Sequence, residues 1–385
     1  MSKWEEKALQ GEFGEPLRIA MNVLAKVCKS LKAKRLIEIV HAHVSGISYF
    51  NIGDEGLELL QDLARKGANV TVYTTANPSS IVIAKEFASV YDDDVVVKQR
   101  NIVDLLVAMG IDSKSFTCIP YKLRTPGYGE HLAWAESSAV IYANSVFGAR
   151  TNREGGITSL MAAIAGRTCF CGMHMDENRH PTELIEVKFP INSIALASAL
   201  GLYIGKVVRG IPYIKATLKL SGVFRDIAIR SMLSSIASTS NISLAFIEGI
   251  SPDSININPK ALEKISVDIN EAKYFIGEKC SDELFLGCPH IDIEEAKELL
   301  TNIIGNLREF GIKKIYIAIP LLNLYSLSEL NKVINGIEVV YLPGVCPIVS
   351  NLKLAKIYSL STIHGKAYYY LPKLAGISSC ILNIA

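Results

Sequence analysis

Glu283-Leu284-Phe285-Leu286-Gly287-Cys288-Pro289-His290 opens the stretch that decides the fold. Its apolar run, 283–286, is a short strand, and Gly287-Cys288-Pro289 turns the chain out of it. Apolar residues at helical spacing follow over 294–310, and 313–319 is a second strand. Residues 326–335 read as another helix. A third strand, 337–342, ends in Pro343-Gly344-Val345-Cys346-Pro347. Connections this long cross over, so the strands of this βαβαβ unit are expected to be parallel. Ligands of open parallel sheets bind beyond the carboxyl ends of the strands. Cys288 and Cys346, far apart in the chain, both stand just past such an end.

The same strand–helix rhythm runs back to the N-terminus, which makes the chain an α/β protein. Leu17, Ala20, Met21, Leu24, Val27, Cys28 and Leu31 form the apolar stripe of a helix. Residues 35–40 read as a strand running into a loop, 41–48. A helix follows from Asp54, a plausible N-cap, to Gly67. Then comes a strand, 69–75, broken by Ala76-Asn77-Pro78-Ser79. Residues 115–180 are rich in glycine and polar side chains, the mark of a surface excursion or a site. From 186 to 260 ordinary α/β sequence returns, with a boundary expected near Gly249-Ile250-Ser251-Pro252-Asp253. This divides the chain into N-terminal lobes, 1–250, and a C-terminal lobe, 251–385.

A length of 385 residues suits two or three lobes, and 49% apolar residues suffice for a sizeable core. Forty basic against 38 acidic residues leave a net charge of +2, too little to follow a phosphate backbone, so no nucleic-acid partner is expected. Met1-Ser2-Lys3-Trp4-Glu5-Glu6-Lys7 has no apolar signal core, and the most apolar stretch, 191–204, is interrupted by Asn192, Ser193 and Ser198. A cytoplasmic chain without a membrane partner is expected. Its eight cysteines should then be reduced, as packing residues or as ligands. Glutamine is scarce (Gln10, Gln61 and Gln99), a mark of a hot-growing source.

Cys28 and Cys380 sit in apolar settings and read as core packing, and Cys280 as a loop thiol. Cys118, Cys288 and Cys346 share another setting: each lies in a loop with proline close behind. Proline after a ligand cysteine fixes the turn and brings no competing N–H. Three thiolates could hold three irons of a [4Fe–4S] cube and leave the fourth open as a Lewis acid. Three unconnected thiols is the alternative, and no Cys-x-x-Cys occurs. Cys171, His174 and His180 could instead ligate zinc, although their spacing fits no structural zinc pattern and Cys169 with Cys171 also reads as a core-facing turn. Gly155-Gly156, after Arg150 and Arg153, suggests an anion site or a flexible turn. Glu130, His131, Glu136 and Ser137 could do acid–base work, or simply start helices. His41 and His43 carry the same ambiguity. Lys366 could meet a phosphate or carboxylate, or solvent.

Taken together, several loops resemble the aconitase X family. They are His43-Val44-Ser45-Gly46-Ile47-Ser48-Tyr49, Thr74-Thr75-Ala76-Asn77-Pro78, Thr117-Cys118-Ile119-Pro120-Tyr121, and the long block from Gly129-Glu130-His131 through Gly155-Gly156. Gly287-Cys288-Pro289-His290 and Gly344-Val345-Cys346-Pro347 complete the set. The resemblance implies an aconitase-like, multi-lobed α/β fold with parallel sheets flanked by helices. It also implies a dehydratase with a [4Fe–4S] cluster on Cys118, Cys288 and Cys346. Substrate contacts are implied at Gly46, Ile47, Ser48, Asn77, Pro78, Glu136, Ser137 and Lys366. Family members of this length act as a large subunit without the swivelling domain, which a small partner subunit supplies together with the catalytic base. The implied substrate is a small anion: 5-phosphomevalonate, or alternatively cis-3-hydroxyproline. A non-catalytic, metal-binding regulatory subunit is the competing expectation from another class.

Overall fold

The computed structural model describes residues 2–81, 90–326 and 331–384. Two sheets with parallel strands position the site. The larger has six strands in the order Asn331–Ile334, Ile337–Pro343, Lys314–Ile319, Glu283–Leu286, Ser359–Thr362 and Ser378–Ile381. All its pairings are parallel except the first. Leu284, Leu286, Ile315, Ile317 and Val339 are fully buried, as expected where a parallel sheet is covered on both faces. Helix Ile293–Glu309 makes the crossover from Glu283–Leu286 to Lys314–Ile319. It starts at a capping box in which Asp292 and Glu295 satisfy each other's backbone N–H.

The smaller sheet has three parallel strands in the order Tyr73–Ala76, His41–Val44 and Leu132–Trp134. The two sheets are stitched together where Ser79 N–H donates to the Gly344 carbonyl at 2.8 Å and Cys346 N–H donates to the Ser79 carbonyl at 2.9 Å. A further four-stranded parallel sheet (Phe246–Ile247, Pro212–Leu218, Glu183–Ile191, Glu263–Val267) carries helices Ile194–Val207 and Gly222–Thr239. Its apolar residues merge with those of the six-stranded sheet in one core that includes Leu200, Met232, Leu286 and Ile317.

Several expectations are corrected. The helix expected over 326–335 is not present at 331–334, where the chain forms a strand. That strand returns antiparallel through Asn335-Gly336, both at positive φ (50° and 80°), and Asn-Gly is a hairpin signal. Residues 327–330 lie outside the described residues. Likewise, His41–Val44 is the central strand of its sheet rather than part of a loop, and the chain leaves it only at Ser45. The expected strand 35–40 shortens to Leu36–Glu38, which pairs antiparallel with Arg167–Cys169. The following helix, Tyr49–Arg65, starts before Asp54 and is broken by the non-helical Gly53.

The reduced-thiol expectation is also corrected. Cys28 is bonded to Cys169, and Cys280 to Cys380. The pairing of Leu36–Glu38 with Arg167–Cys169 carries Cys169 to helix Glu15–Ser30, a proximity that spacing along the chain does not reveal. Among the described residues, no helix is long and apolar enough to cross a membrane.

Candidate functional site

Both central sheets direct the carboxyl ends of their strands at one cavity of about 330 Å³. From the smaller sheet come Ser45-Gly46-Ile47-Ser48 after His41–Val44, Asn77-Pro78 after Tyr73–Ala76, and Glu136-Ser137 after Leu132–Trp134. From the larger come Cys288 after Glu283–Leu286, Cys346 after Ile337–Pro343, and Lys366 after Ser359–Thr362. Cys118 enters from the segment preceding Leu132–Trp134. All three proline-associated cysteines and all eight expected substrate contacts line this cavity.

Close backbone packing makes these turns. A Cβ on Gly287 would lie 2.3 Å from the Ala318 carbonyl, so only glycine lets the chain turn out of the sheet into Cys288. One on Gly156 would lie 2.4 Å from the Ser45 carbonyl. Gly156 therefore serves packing of helix Gly156–Ala165 against the first loop. Of the neighbouring arginines, Arg150 pairs with Asp176, whereas Arg153 lines the cavity while donating to carbonyls at the end of helix Gly222–Thr239.

The thiols of Cys118, Cys288 and Cys346 are unpaired. Burial pushes the Cys118 thiol up to about 12, against the opposing pull of Lys366 and a hydrogen bond from His290 N–H to its sulfur at 3.1 Å. Burial likewise raises Cys288, strongly, and Cys346, each again opposed by Lys366. Lys366 forms an ion pair with Glu136, and each side chain is only 12% exposed. Burial alone would raise the Glu136 carboxyl. The charge of Lys366, with hydrogen bonds from Lys366, Asn77 and Ser138, outweighs burial and holds it well below its usual range. For Lys366, burial is outweighed in the same way, mainly by Glu136, and the ammonium is held above its usual range.

Two residues that the sequence did not single out hold this site together. His290 stands between the three cysteine loops. Its Nε2–H donates to the Val345 carbonyl at 3.0 Å, so Nδ1 is bare and accepts from the Thr117 hydroxyl at 3.1 Å. Buried Gln99 accepts from Tyr49 N–H and from the Ser80 hydroxyl, while its Nε2 donates to the Ile47 carbonyl. It thereby ties the first loop to the chain beyond Asn77-Pro78. The signal for His290 was its position two residues after a candidate ligand; nothing in the sequence marked Gln99.

The zinc alternative is not assembled. His180 is exposed, His174 packs its Nδ1 3.0 Å from Nδ1 of His131, and Cys171 lies near Asn152. Among the described residues, no group of three His, Cys, Asp or Glu side chains is close enough for a single metal ion. Glu130 is paired with Arg124, and neither it nor His131 lines the cavity.

Comparison with known proteins agrees with this architecture. Residues 1–177 match the model of the aconitase X first domain, and residues 181–277 that of the second. A phosphomevalonate dehydratase large subunit from Thermococcus kodakarensis is 35% identical, over 96% of this chain and 94% of that protein. One from Methanocaldococcus jannaschii is 34% identical over 97% and 95%. The crystal structure of Thermococcus kodakaraensis aconitase X in its holo form superposes with a TM-score of 0.84 at 33% identity, covering 100% of this chain and 96% of that one. The chain belongs to the aconitase X family.

Proposed function

We propose that this chain is the large, catalytic subunit of a cytoplasmic iron–sulfur hydro-lyase. It dehydrates (R)-5-phosphomevalonate to trans-anhydromevalonate 5-phosphate for isoprenoid synthesis. The observation that carries the proposal is the meeting of three unpaired, buried thiols with a buried lysine–carboxylate pair in one cavity at the strand ends. The relatives that match nearly end to end are phosphomevalonate dehydratase large subunits, which supports the substrate and a partner subunit.

Cys118, Cys288 and Cys346 are the residues we assign to a [4Fe–4S] cluster. The donor set suits it: burial disfavours these thiolates, and a cationic centre is what would stabilise them. Such a cluster, when bound, supplies a Lewis-acidic iron that polarises a hydroxyl.

The chain's own side chains bind and orient. The amide of Asn77, the hydroxyls of Ser48 and Ser137 and the ammonium of Lys366 are donors suited to the carboxylate and phosphate of the substrate. Phe285 and Leu374 give the cavity an apolar wall. Glu136, held ionised by Lys366, is a weak proton acceptor. As the family resemblance implies, we assign the base that takes the proton beside the substrate carboxylate to the swivelling domain of the small subunit.

The test is an anaerobic assay of the chain alone and of the chain with its small subunit, with phosphomevalonate and cis-3-hydroxyproline offered separately. Turnover of phosphomevalonate by the pair alone is expected. Full activity without the small subunit would refute the two-chain proposal, and turnover of hydroxyproline only would refute the substrate.

A further inference from the structure

Strands His41–Val44 and Tyr73–Ala76, with Asn77 just beyond the second, hold a buried hydrogen-bonded chain whose direction can be worked out atom by atom. It starts at the ion pair of Lys366 with Glu136. A carboxylate only accepts, so the Asn77 atom 2.9 Å from Glu136 Oε2 is the amide nitrogen. The other end of that amide, Oδ1, lies 2.8 Å from His43 Nε2, which must therefore carry a proton. His43 is completely buried and its two hydrogen-bond partners, Thr75 and Asn77, are neutral; burial outweighs the pull of the Glu136 carboxylate, so its second nitrogen is bare. Nδ1 accepts from the Thr75 hydroxyl at 2.7 Å; the other acceptor within reach of that hydroxyl, the Ala42 carbonyl, is at 3.5 Å. The Thr75 oxygen in turn accepts from His41 Nε2 at 3.0 Å. His41 Nδ1 is then a bare lone pair, and it is buried without a partner among the described residues. An orphaned acceptor is more easily tolerated than an orphaned N–H, so the chain ends where its polarity requires.

This polarity has a consequence at the cavity. Asn77 spends its carbonyl oxygen on His43 and one N–H on Glu136. Its second amide N–H is left, on a side chain that lines the cavity. Were the amide reversed, its oxygen would meet both the Glu136 carboxylate and an anionic substrate.

We propose that His43 is a positioning residue: its Nε2–H fixes the Asn77 amide so that a donor, never an acceptor, is offered to the anionic group of the substrate. The substrate side of this inference rests on the function proposed above; the polarity of the chain does not.

Two measurements test it separately. In the 15N-histidine-labelled full chain, long-range 1H–15N correlation spectra give the tautomer of each imidazole, and His43→Gln identifies the His43 signal. Protonation at Nε2 with a bare Nδ1 is expected. Protonation at Nδ1 overturns the proposal, and this arm needs no variant to be active or fully stable.

The second measurement uses the two-subunit enzyme with phosphomevalonate. Glutamine at 43 can place an amide N–H near the Nε2 position, whereas leucine has no donor. His43→Leu is expected to raise KM about tenfold or more with kcat changed less than about threefold, and His43→Gln to restore most of the loss. Equal KM values for the leucine and glutamine variants, each with a wild-type melting profile, overturn the positioning role. An Nε2–H tautomer in a wild-type enzyme that does not bind phosphomevalonate supports the chain's polarity and refutes the proposed substrate instead.

Discussion

Replacing Lys366 by methionine removes the ammonium from a pair whose side chains are each 12% exposed and leaves the Glu136 carboxylate inside the cavity. Breaking a buried pair by deleting one partner costs about 3–5 kcal/mol. Asn77 and Ser138 still donate to Glu136, so the lower end of that range applies. Unfolding entropy for a chain of this length is about 0.8 kcal/mol/K, so the melting temperature should fall by about 4 °C at pH 7. The pH dependence has a definite sign. In the wild type the Glu136 carboxyl lies below its unfolded value, so its contribution is present at neutral pH and is lost as the pH falls. In the variant, burial dominates and the carboxyl lies above its unfolded value. Its cost is then present at neutral pH and is relieved on acidification. The gap in melting temperature should therefore shrink from pH 7 to about pH 4. Adding Glu136→Met should restore most of the lost stability while leaving the enzyme inactive. Calorimetry of the three proteins at both pH values is the assay. A Lys366→Met chain as stable as the wild type, or a double variant no more stable than the single one, would refute the buried pair.

The other expectations follow from the same geometry. His290→Ala removes the imidazole that links Thr117, beside Cys118, to the Val345 carbonyl, beside Cys346, and should lower iron retention severalfold, measured as iron per chain after anaerobic gel filtration; undiminished iron would contradict its role. The Cys28–Cys169 bond closes a loop of 141 residues, so Cys28→Ser should cost up to about 5 kcal/mol in urea denaturation, and a variant of unchanged stability would contradict the bond. Burial holds His43 and His290 at about 4 and His174 and His364 at about 3. The unfolded chain binds protons first as the pH drops below about 6.5, so urea midpoints should fall by at least about 3 kcal/mol equivalent between pH 6.5 and 4, and a flat profile would contradict the burial.

The parallel strands of the last third were readable because their apolar runs are unbroken and end in glycine and proline. The carboxyl-end rule then placed Cys288 and Cys346 on one rim. Lys366 follows a further strand of the same sheet, but a lone lysine carries no signal until Glu136 stands beside it. The strand His41–Val44 was hidden because its two imidazoles break the apolar pattern; Thr75 and Asn77 bond three of their four ring nitrogens inside the fold. Asn335-Gly336 did carry a hairpin signal, and the helical spacing assigned to 326–335 overrode it. The disulfides were illegible for a different reason: 141 and 100 residues separate the partners, and only the fold brings them together.

The central claim is that Cys118, Cys288 and Cys346 carry a cluster. Iron and acid-labile sulfide, measured on anaerobically purified wild-type chain and on Cys118→Ala, Cys288→Ala, Cys346→Ala and Cys171→Ala, test it most directly. About four irons and four sulfides per chain are expected in the wild type and in Cys171→Ala, and a large loss in each of the other three. Iron and sulfide that survive replacement of the three cavity cysteines, or a wild-type chain that holds zinc in place of iron, would contradict it.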